Sequence, residues 1–186
     1  MKNSFPLELT TEKIHQVEKI KHPCNSLIIL DSFLFNGAGK VTNLINFVEK
    51  MMPVQLSNKF QIDIIIQNPY DNQKIQKAYD KILHALKDKI SLHIYLSNNL
   101  KDIESDRYIL TNYAIINIGH PFDRNTNVSC SFYPSQSNIE DVSTSYKDIQ
   151  QKRTIIKNVI SKIEPIFRDN KTIWKSDDIK HSMIEF

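Results

Sequence analysis

The sequence has few cysteines, no long apolar run and no large excess of charge of one sign, and each absence excludes something. Two cysteines in 186 residues, Cys24 and Cys130, are too few for a disulfide framework, and neither has a Cys or His beside it at metal-ligand spacing. Both read as reduced thiols. No stretch approaches the roughly 18 to 20 apolar residues that cross a bilayer, so no transmembrane segment is expected. The first six residues carry neither an apolar core of signal-peptide length nor a cleavage site behind one, which makes the cytoplasm the expected location. The 24 basic and 21 acidic residues are scattered and leave a net charge of +3, too little to demand a nucleic-acid partner. The six histidines show no HExxH or similar pair, so neither a metal site nor a cofactor is expected. There is no internal repeat and no low-complexity tract; the abundance of Asn, Ile and Lys reflects an AT-rich genome rather than a mechanism.

What is present is an alternation of strands and helices. The run 26–35 is continuously apolar and bounded by turn residues, as in a strand buried on both faces. After the loop Asn36-Gly37-Ala38-Gly39-Lys40, the residues Val41, Leu44, Ile45, Phe47, Val48 and Met51 form a helical pattern up to Pro53. A second unit follows, with a strand at 60–67 and a helix carrying Ile75, Tyr79, Ile82, Leu83 and Leu86, and then a third strand at 92–96. Such alternation predicts an α/β fold with a mixed, mainly parallel sheet flanked by helices, because parallel neighbours need crossover connections. Beyond residue 96 the pattern changes to two short β-rich runs, 107–110 and 114–118, around Thr111-Asn112-Tyr113, which predicts a β-hairpin. Residues 123–146 read as a long polar loop holding one edge strand near 128–133, and 147–167 as an amphipathic helix. The expected organisation is an N-terminal helical extension at 1–26, capped at Thr10 or Thr11, an α/β domain at 27–168 and a C-terminal tail at 169–186.

The glycine loop is not a nucleotide-binding motif. A Walker A sequence needs a glycine five residues before Gly39, and Leu34 stands there, so the loop reads as a strand-to-helix turn.

The segment from Ser105 to His120 carries more information. It resembles the phospholipase D superfamily pattern HxKxxxxDxxxxxxG with every spacing kept: Ser105 stands at the nucleophilic His, Arg107 at the phosphate-binding Lys, Asn112 at the Asp and Gly119 at the Gly. A closer likeness is to the C-terminal phospholipase D-like domain of the MIT-domain-containing proteins, on Asp106, Arg107, Asn112, Gly119, Phe122 and Asp123. That resemblance spans roughly residues 26 to 135 and implies a phospholipase D-like half, dimerisation, and binding of acidic phospholipid surfaces without catalysis.

The chemistry agrees with the last point. Superfamily turnover needs an imidazole to form a phospho-enzyme and a carboxylate to orient it, and Ser105 and Asn112 supply neither unaided. Arginine still offers a planar fork of donors for a phosphate. Asp106, Arg107, Asn112, His120 and Asp123 are therefore the candidate binding residues, and no catalytic residue is assigned. The expected role is a binding or assembly module that recognises an anionic ligand, phospholipid or nucleic acid, or a protein partner, pairs with itself, and works in a bacterial multi-protein system such as one for defence. Two rival readings are a phosphodiesterase or nuclease built at a dimer interface from His120, Arg107 and Asn112, and an anionic-membrane or nucleic-acid binding protein using the basic face of 147–167 with Arg168, Lys171, Trp174 and Lys175.

Overall fold

The computed structural model describes residues 3–7, 24–37, 39–67, 71–97, 107–111, 114–118, 126–132, 161–165 and 172–178. Among the described residues eight strands form one mixed sheet: β1 (Asn3–Leu7), β2 (Ser26–Asp31), β3 (Phe60–Gln67), β4 (Ile90–Ser97), β5 (Arg107–Thr111), β6 (Ala114–Ile118), β7 (Thr126–Phe132) and β8 (Thr172–Lys175). Their order is β1-β7-β6-β5-β2-β3-β4-β8. The α/β class is as expected, with the parallel pairing concentrated in the centre, where β2, β3 and β4 run together. Every other pairing is antiparallel.

The two crossovers are α1 (Lys40–Met51) and α2 (Asn72–Leu86). Val41, Leu44, Ile45, Val48 and Met51 put a buried stripe on α1, and Met52 then turns to extended backbone, as the residue before Pro53 must. Asp71 caps α2, its carboxylate accepting from the backbone N–H groups of Gln73 at 2.9 Å and Lys74 at 3.4 Å. These stripes join one core with Leu27 and Ile29 of β2, Ile62, Ile64 and Ile66 of β3, and Leu92, Ile94 and Leu96 of β4. Side chains alternate across a strand, so the opposite face carries Ile28, Leu30, Asp63, Ile65, His93, Tyr95 and Leu110, all buried as well.

Several boundaries move. The apolar run 26–35 is a strand only to Asp31, because the Asp31 carboxylate accepts the backbone N–H of Phe33 at 2.8 Å and starts a turn in which Leu34 and Phe35 stay buried. The piece near 128–133 is no edge strand: β7 lies between β6 and β1, with Val128 opposite Ile118 on one side and Phe5 on the other. Two segments outside the expected α/β domain join the sheet, β1 from the expected extension and β8 from the expected tail. The helix expected after Thr10 and most of 147–167 lie outside the described residues; 161–165 are helical, with Ile163 buried.

Phe47 has no exposed surface, whereas Val54 is 99% exposed. Phe47→Ala should lower unfolding free energy by about 3–5 kcal/mol through lost burial and a residual cavity, and Val54→Ala should stay within about 0.5 kcal/mol. Urea denaturation of the two variants checks the contrast.

Candidate functional site

Of the five expected binding residues, only Arg107 lies within the described residues; Asp106, Asn112, His120 and Asp123 lie outside them. Arg107 opens β5 and stands directly across the antiparallel ladder from Asp31, the last residue of β2. Thr111, the last residue of β5, stands opposite Leu27 at the other end of β2. Four residues of extended chain separate it from Arg107 by roughly 14 Å.

The position of Arg107 follows from the topology. β2, β3 and β4 end at Asp31, Gln67 and Ser97, so the carboxyl ends of the parallel strands share one edge of the sheet. After β4 the chain returns to the far side of β2, and Arg107 is the residue at which it rejoins the sheet. Ligand sites of open α/β sheets lie outside the carboxyl ends of the strands, where the order turns around. Asp31 at this edge is only 1% exposed. Lys40 begins α1 at the same edge, its Nζ donating to the Phe33 carbonyl at 3.4 Å.

A second polar constellation sits within the sheet, and the sequence reading missed it. Asp63 of β3 and His93 of β4 are Cα partners, and His93 Nδ1 lies 3.1 Å from Asp63 Oδ1. The other ring nitrogen, Nε2, lies 2.9 Å from the Asp177 carbonyl and 3.4 Å from its carboxylate. The Ser91 hydroxyl donates to Asp177 Oδ1 at 2.6 Å, and Lys59 Nζ pairs with Asp177 Oδ2 at 3.3 Å. Asp63 is 1% and His93 7% exposed. Burial disfavours the charged imidazole, but hydrogen bonds and charges from Asp63 and then Asp177 outweigh it and raise the His93 pKa above its ordinary 6.5.

This cluster is not a nucleophilic triad. The Ser91 hydroxyl spends its one proton on Asp177, and both imidazole nitrogens already face acceptors. Among the described residues no group of three or more acids, histidines or cysteines could hold a metal ion, and no helix is long and apolar enough to cross a membrane. The available signal was the alternation Ser91, His93, Tyr95, Ser97 against Ile90, Leu92, Ile94, Leu96, which sets a histidine on the second face of a buried strand. Its partner Asp177 is 84 residues away in sequence.

No protein-family model matches the chain, and no curated protein matches it.

Removing Asp63 leaves the buried imidazole without its acceptor on β3. Asp63→Ala should cost about 3–5 kcal/mol near pH 6, read by urea denaturation. Because the folded-state pKa of His93 is raised, its contribution is fully present below 6.5 and lost as pH climbs through the folded value. The stability gap between wild type and Asp63→Ala should therefore narrow toward about pH 9; a gap that widened would contradict the assignment.

Proposed function

We propose that the chain is a non-catalytic recognition module of phospholipase D-like type, taking a phosphate-bearing ligand at the carboxyl edge of its parallel strands and assembling with a protein partner, a second copy of itself included. The observation that carries this reading is the place of Arg107. It opens β5 opposite Asp31, at the edge and turnaround where α/β sheets take ligands. An arginine can supply two parallel donors to a phosphate, and Lys40 is a second basic residue at the same end of the parallel strands.

Absence of turnover rests on the motif. Ser105 and Asn112 stand at the positions that would carry the imidazole and the carboxylate. His93, the histidine within the central sheet, has both nitrogens engaged by Asp63 and Asp177. The module thus keeps a cation for binding and lacks, at the motif, the groups for a phospho-enzyme.

The test compares wild type with Arg107→Ala. Size-exclusion chromatography with light scattering gives the assembly state, and titration with anionic liposomes and with short DNA and RNA gives ligand binding. Loss of a charge-assisted, two-point phosphate contact of about 1.5–3 kcal/mol corresponds to roughly 10- to 150-fold weaker binding by the variant. Binding should also weaken as salt rises. If neither protein binds any of the three probes, anion recognition is wrong and the module acts through a protein partner. Hydrolysis of a phosphodiester that disappears in His120→Ala would instead establish the enzyme reading.

A further inference from the structure

Residues 172–178 are attached to the sheet from both of its faces. On the helix side Trp174 packs against the core, and its indole Nε1 donates to Gln76 Oε1 of α2 at 2.5 Å. Along the edge of β4 the Leu92 N–H donates to Ser176 Oγ at 2.8 Å and the Ser176 N–H donates to the Leu92 carbonyl at 2.9 Å, and on the other face Asp177 meets Ser91, Lys59 and His93. The ladder between β4 and β8 is short, and its register shifts between Ile94 and Tyr95.

The contacts of His93 are best satisfied by the charged ring. The Asp177 carbonyl offers only lone pairs, so Nε2 must donate to it; the Asp63 carboxylate likewise accepts from Nδ1. A neutral imidazole carries one N–H, and only the imidazolium carries two. Losing a proton sets a nitrogen lone pair against an oxygen lone pair at one of the two contacts. Asp63 cannot yield, because β3 is paired along its length between β2 and β4. The segment 172–178 can, because β8 is an outer strand with a broken ladder.

We propose that His93 is a proton-operated clasp, which holds residues 172–178 against the edge of β4 while the imidazole carries both protons and releases them when it loses one. The two carboxylates that meet the ring agree in sign. Asp63 from β3 and Asp177 from the clasped segment both favour the imidazolium. Lys59 opposes it but is matched by Asp177, and Lys175, the Cα partner of His93, is matched by Asp178. The Tyr95 ring stands edge-on at 6.3 Å. Detaching the segment removes Asp177 and lowers the proton affinity of His93, so by linkage deprotonation favours detachment. Release uncovers the edge of β4, whose backbone N–H and C=O groups are then free to pair with another strand.

Trp174 is the single tryptophan, so its emission in the full chain reports the attachment of β8 directly. The wild type is titrated from about pH 5.5 to about pH 9, following the His93 imidazole by NMR, Trp174 emission, and amide exchange of residues 172–176 corrected for its intrinsic pH dependence. Expected are a His93 midpoint above 6.5, a red shift of Trp174 with the same midpoint, and an opening constant that rises by up to tenfold per pH unit, the limit for one proton. His93→Gln, which has no proton to lose in this range, should abolish the transition. Asp177→Asn, which keeps the shape but not the charge, should move the imidazole midpoint down. The proposal fails if the imidazole loses its proton with emission and exchange unchanged, if it stays charged throughout, or if the Trp174 transition persists in His93→Gln.

Discussion

Parallel pairing of β2, β3 and β4 is the constraint on which the rest of the structure depends. Parallel neighbours cannot be joined by a tight turn, so α1 and α2 must cross over, and their stripes commit Leu27, Ile29, Ile62, Ile64, Leu92 and Ile94 to one core. A parallel centre must also be covered on its other face. Here that second face mixes Ile28, Leu30 and Ile65 with the buried Asp63 and His93. Polar groups taken that far from water need partners, and the partners come from β3, β4 and the end of the chain. The same parallel arrangement gathers Asp31, Gln67 and Ser97 at one edge, which makes that edge the natural place for a ligand.

Sheet edges pose the complementary problem, since an outer strand leaves a row of backbone donors and acceptors unpaired. Here β7 and β4 are covered by the segments 3–7 and 172–175. β1 closes one side on β7 through a five-residue antiparallel register, and β8 closes the other on β4. β8 is too short to hold by its ladder alone, with four residues and a register shift. Trp174 on α2 and Asp177 on His93 supplement it from opposite faces. A strand attached chiefly through side chains depends on the state of those side chains, in a way that β3, paired on both sides, does not.

Local signals carried most of the centre of the fold into the sequence. Phe60–Gln67 is bounded by the turn residues that flank it, the α1 and α2 stripes follow helical spacing, and the runs around Thr111-Asn112-Tyr113 pair as Tyr108 with Asn117 and Ile109 with Ile116. The misplaced boundaries have physical causes. Hydrophobicity marks burial rather than strand, so Leu34 and Phe35 extend the apolar run of β2 into a buried turn that the Asp31 carboxylate has already begun. β1 and β8 are five and four residues long and gain their pairing from strands far away in sequence, which no local periodicity records. The motif behind the proposed anion site is local, spaced within fifteen residues, and its Arg107 comes to the edge of the sheet through register with β2. The His93 network was not legible, because a histidine in an alternating strand looks the same whether or not an aspartate 84 residues on closes over it.

The two polar regions bear differently on catalysis. A phosphoryl-transfer nucleophile must present a nitrogen lone pair to phosphorus, and an imidazole donating through both nitrogens has none to present. His93 has an acceptor at each nitrogen, Asp63 at Nδ1 and Asp177 at Nε2, and charge from both carboxylates favours the protonated ring. The features that make this imidazole a good fastener, burial and an acceptor on each nitrogen, are the ones that unfit it as a nucleophile. At the carboxyl edge the opposite holds: a guanidinium stays charged at every physiological pH and has no chemistry to offer beyond its donors. On the proposed reading, recognition falls to Arg107, whose charge is permanent, and fastening to His93, whose charge can be withdrawn.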